Sequence, residues 1–94
     1  MDMKTLSRRL NSVGKAAFVK HFHDFKAYAS DELSKEACIE RIIKAGTSNW
    51  DGANIRCSNA KQIFKANKQN KALEIVIAAK RIPSEINQKA KRLL

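Results

Sequence analysis

Two cysteines, two histidines and a surplus of cations are the residues in this 94-residue chain whose chemistry is worth testing first. His21 and His23 stand two apart, which on a helix places them about 200° from one another, so they cannot ligate one ion from a single face. No third histidine completes a metal site or serves as a base beside a thiol. Cys38 and Cys57 could pair in principle, but each falls on the apolar side of a helical pattern. Both are expected to be reduced, small, buried hydrophobes. The carboxylate pairs Asp31-Glu32 and Glu36 with Glu40 alternate with Lys35, Arg41 and Lys44. That mixture reads as an exposed, salt-bridged helix face, not as the desolvated pair that acid–base work requires. There is no Gly-rich phosphate loop. The expectation is therefore no enzyme, no catalytic residue, no metal and no cofactor.

The cations carry the stronger signal. Nineteen Lys and Arg oppose nine Asp and Glu, for a formal charge of +10. Their distribution is uneven. Residues 1–23 are net +4, residues 24–51 are net −2, and residues 52–94 hold ten basic side chains against Glu74 and Glu85 alone. A surface of this kind attracts polyanions before any specific contact forms. The densest stretch, Arg56, Lys61, Lys65, Lys68 and Lys71, contains no acid. On a helix, Lys61, Lys65 and Lys68 follow i, i+4, i+7 spacing and form a row suited to backbone phosphates. A second group comprises Lys80, Arg81, Lys89, Lys91 and Arg92. These ten residues are the expected contacts to nucleic acid, DNA or RNA, through phosphates and with little sequence preference.

The elements that must position them read as helices. One Pro and three Gly leave few breaks in the chain, so long regular segments are expected. Leu6, Leu10 and Val13 set a first helix over about 3–11. Phe18, Phe22, Phe25 and Ala29 set a second over 15–29, with three phenylalanines aimed into one core. Cys38, Ile39, Ile42 and Ile43 mark a third, which begins at Asp31 or Ser34 and is closed by Gly46. Ser48 with Asp51 resembles a capping box opening a fourth helix to about Lys68, with Trp50, Ala53, Cys57, Ala60 and Phe64 inward. A fifth, over about 70–80, is apolar nearly all round. Pro83 starts a sixth, with Ile86, Ala90, Leu93 and Leu94 inward.

These readings specify an all-α fold: one domain over residues 1–94, a compact bundle of five or six short amphipathic helices. No stretch approaches the ~18 apolar residues of a membrane span, and the N-terminus lacks the apolar region of a secretory signal, so no membrane partner and a cytoplasmic location are expected. The alternative function is a protein-interaction module that docks on an acidic partner, or a homodimer formed through the apolar Ile75–Ala79 surface. A helix-turn-helix about Gly46 fits poorly, because Gly52 falls where an aliphatic residue is needed.

Overall fold

The computed structural model describes residues 1–94, and every regular element in it is helical: α1 (Met3–Val13), α2 (Lys15–Lys20), α3 (Phe22–Ala29), α4 (Lys35–Lys44), α5 (Trp50–Lys65), α6 (Gln69–Ala78) and α7 (Ser84–Leu93). The all-α bundle is as expected, with one helix more. The extra helix arises because the 15–29 segment breaks at His21, whose backbone (φ −109°, ψ 22°) leaves the helical region for a single residue. Two backbone bonds flank the break, the His21 N–H donating to the Ala17 carbonyl and the Phe25 N–H to His21, and the Lys20 carbonyl accepts from the Lys89 ammonium.

Helix ends are closed by local chemistry. Asp2, Ser34 and Asn49 cap α1, α4 and α5, their side-chain oxygens accepting from Thr5, Ala37 and Gly52 N–H. Asn49, not Ser48, is thus the cap of α5. The Ser48 hydroxyl instead accepts from the Arg56 Nε at 3.4 Å. Three C-termini end in one arrangement, with Asp31, Gly46 and Asn67 in the left-handed region after α3, α4 and α5. In each, the next residue's N–H returns to a carbonyl five positions back: Glu32 to Ala27, Thr47 to Ile42 and Lys68 to Ile63. Asn67 stops α5 at Lys65, three residues earlier than its apolar pattern suggests.

α5 is the spine. Its inward residues Ala53, Cys57 and Ala60 are small and fully buried, which lets α1, α3 and α4 approach it closely, and Ile63 fills the far end. All seven helices contribute to one apolar cluster. Phe18, Phe22 and Phe25 lie in it as expected. Phe18 stacks on Phe25 and Phe64 and meets Phe22 edge-on, with ring centroids 5.7–6.4 Å apart. α6 and α7 pack on each other, and α7 also rests on α2.

Two sequence expectations need correction. Trp50 is 49% exposed at the first position of α5, six residues ahead of the point where α1 ends against that helix, so it does not join the core stripe. Leu94 is 56% exposed past the end of α7. The apolar circumference of α6 is largely covered within the chain: Ala72, Leu73 and Val76 are fully buried, and Ile75 and Ile77 pack against the same cluster. No helix is long and apolar enough to cross a membrane.

Candidate nucleic-acid interface

The loop after α1 determines the geometry of the main cleft. Gly14 has φ +91°, which a side chain would make costly, and a Cβ there would stand 2.7 Å from the Arg56 guanidinium. The glycine therefore lets Arg56 reach across from α5 and donate to the Val13 carbonyl, one of the acceptors that the end of α1 leaves without a helical partner. Arg9 makes a second tie between the same helices, donating to Asn59 Oδ1 at 3.1 Å. These contacts hold the end of α1 and the start of α2 against α5.

Beside them opens a cleft of about 840 Å³ lined by Gly14, Lys15, Ala16, Ala17, Lys20, Thr47, Arg56, Ala79, Lys80, Arg81 and Ile82. Five of these are cations and none is an acid. The cations come from three separate stretches, the two ends of α2, the middle of α5 and the α6–α7 loop, and Thr47 of the α4–α5 loop completes the lining. None of the five forms an ion pair; the Lys and Arg ion pairs of the molecule are Arg41 with Asp24 at 2.8 Å and Lys71 with Glu74 at 3.7 Å. Alanines and Ile82 line the cleft between the charges. Such a surface offers several N–H donors to an anion and an apolar wall to whatever carries it.

His21 reports the local field. It is 5% exposed, and its Nε2 is hydrogen-bonded to the Thr47 hydroxyl at 2.8 Å. Burial lowers its pKa from 6.5, the positive charge of Lys20 adds to that, Asp24 opposes it, and Lys89 and Arg56 lower it further. The unfolded chain therefore holds a proton on this imidazole at pH values where the folded chain does not. Stability from this group is complete above about pH 6.5 and is lost as pH falls towards the folded pKa. Thermal melts are expected to show a lower Tm at pH 5 than at pH 7, with the difference reduced in a His21→Gln variant; equal slopes for the two proteins would contradict it.

Of the ten cations expected from sequence, three line this cleft. Arg56, Lys80 and Arg81 meet in the cleft, together with Lys15 and Lys20, which belong to neither of the two cationic groups of the sequence. Lys89 lies alongside, its Nζ donating to the Lys20 carbonyl at 3.2 Å. Lys61 is half-buried, with Nζ 4.8 Å from the centre of the Tyr28 ring, a cation–π contact that draws it towards α3. Lys65 borders a shallow depression of about 170 Å³ with Lys26, Ala29, Ser30 and Phe64. Lys68 lies beyond the end of α5, so the helical row through Lys61 and Lys65 is not continued to it. Lys71 faces Glu74, while Lys91 and Arg92 are exposed in the last turn of α7. No cluster of three or more His, Cys, Asp or Glu side chains is placed to hold a metal ion.

Fold and cleft together describe an all-α bundle with a concave cationic groove. No protein-family model, no curated protein and no solved structure matches the chain.

Proposed function

We propose that this chain is a small nucleic-acid-binding protein that grips backbone phosphates in the cleft bounded by Lys15, Lys20, Lys80 and Arg81. One observation carries the reading: five cations from distant parts of the sequence converge on a single concavity that contains no carboxylate. Gathering like charges without counter-charges costs folding free energy, and proteins accept such local conflicts where a ligand resolves them. A phosphodiester chain supplies closely spaced anions, and its sugars and bases can lie on the alanine and Ile82 surfaces. Arg56 contributes charge from behind, its guanidinium being already engaged by Val13 and Ser48. Lys61, Lys65, Lys68, Lys71, Lys89, Lys91 and Arg92 supply the long-range attraction that brings the polyanion in.

Binding of this type is governed by counterion release. If Lys15, Lys20, Lys80 and Arg81 each meet one phosphate, raising salt from about 50 to 200 mM weakens binding to a short oligonucleotide by roughly 50- to 150-fold. Fluorescence anisotropy with a labelled single strand and a labelled duplex reads this directly. Absence of binding at low salt, or an affinity indifferent to salt, would refute the proposal.

A further inference from the structure

Cys38 of α4 and Cys57 of α5 are both fully buried, and their Sγ atoms lie 3.3 Å apart. A disulfide is about 2.05 Å long, so bonding needs an approach of only about 1.3 Å, within the range of small side-chain rotations. The chain has no other cysteine, so one intramolecular product is available. The two thiols share a hydrogen bond. It favours ionisation at Cys57, whose pKa is lowered, and it pushes Cys38 up, with burial adding to the rise. Access is local, because α4 is ten residues long and packs chiefly on α3 and α5. A local opening of one such helix, short of global unfolding, would give an oxidant access to the sulfurs.

We propose that Cys38 and Cys57 are a redox-active dithiol, which a low-molecular-weight disulfide such as oxidised glutathione converts to an intramolecular disulfide joining α4 to α5. The Cys57 thiolate attacks one sulfur of the oxidant, whose S–S bond breaks and releases one thiol, protonated by solvent. The Cys38 sulfur then loses its proton and displaces the second thiol from the mixed disulfide. Two protein thiols are oxidised as one small disulfide is reduced to two thiols. The new covalent loop spans the α4–α5 connection and with it Thr47, one wall of the cationic cleft. The proposal stands on the thiol geometry and is independent of what the cleft binds.

The test treats the folded full-length chain with excess oxidised glutathione at about pH 8, where thiolate is more abundant, and then alkylates any remaining thiols under denaturing conditions. The expected product is a monomer lighter by two hydrogens and free of alkylation. Digestion should yield one peptide pair linked through Cys38 and Cys57. Its Tm should rise by roughly 10 °C and return to the original value with dithiothreitol. Two alkylated thiols, under conditions that oxidise the urea-unfolded chain, would overturn the proposal. So would a lasting glutathione adduct or a disulfide between chains.

Discussion

Reversing Lys80 and Arg81 together, as K80E/R81E, is expected to weaken oligonucleotide binding by about 30- to 150-fold at low salt while leaving the fold intact. Both side chains are exposed, sit in the α6–α7 loop, and make no ion pair in the structure. Their removal therefore costs little stability. Each removes a charge-assisted contact to phosphate, and each introduced carboxylate repels the next phosphate along. Together these effects amount to about 2–3 kcal/mol of binding free energy. The appropriate comparison is K65E/K68E, which changes the net charge by the same amount at the end of α5. That variant weakens only the long-range attraction, and a loss of a few-fold is expected. Anisotropy titrations of the three proteins, with circular dichroism melts as the control for folding, separate the alternatives. Equal losses for the two variants would mean that net charge alone acts and that the cleft has no special role.

Phe18→Ala is expected to have the largest effect on stability. Phe18 is fully buried, and its ring touches those of Phe22, Phe25 and Phe64. α2 has only six residues, too few to hold a helix unaided, and Phe18 is its largest anchor in the core. Removing the ring leaves a cavity among the other phenylalanines and costs about 3–5 kcal/mol. A domain of this size has a total stability of about 5–15 kcal/mol. The Tm is therefore expected to fall by about 15 °C or more. Because Lys15 and Lys20 ride on α2, loosening this helix also loosens one wall of the cleft. Affinity measured well below the Tm should fall as well. A drop of only a few degrees would show that the aromatic cluster is not what secures α2.

Much of this architecture is legible in the residues. The Phe18, Phe22 and Phe25 stripe, the small inward residues of α5 and the closure of α4 at Gly46 follow from periodicity and from left-handed C-caps. What escapes are features that depend on contacts across the fold. His21 is compatible with a helix interior, and the break there goes with contacts from other elements, its own bond to Thr47 and that of Lys89 to the Lys20 carbonyl. Ser48 and Asn49 are both good caps, and the choice between them goes with the reach of Arg56 to the Ser48 hydroxyl. Trp50 obeys the apolar spacing of α5 yet sits in its first turn, where α1 has already ended.

The cleft escapes for a related reason. Counting charge along the chain selects the run from Arg56 to Lys71, because those residues are close in sequence. The concavity instead joins residues 14–17, 20, 47, 56 and 79–82. Lys15 and Lys20 were legible as cations without neighbouring acids after a glycine, but nothing local relates them to Lys80 and Arg81. Within the sequence run, the approach of Lys61 to the Tyr28 ring on α3 is likewise invisible until the helices are packed.

The most direct measurement of the central claim is the slope of log affinity against log salt for the unaltered chain and for K80E/R81E, taken with one oligonucleotide. Four phosphate contacts in the cleft predict a slope of roughly −2.8 to −3.6, and loss of Lys80 and Arg81 should make it shallower by about 1.4–1.8. Parallel slopes for the two proteins would contradict the account, since they would show that no phosphate is held at these positions.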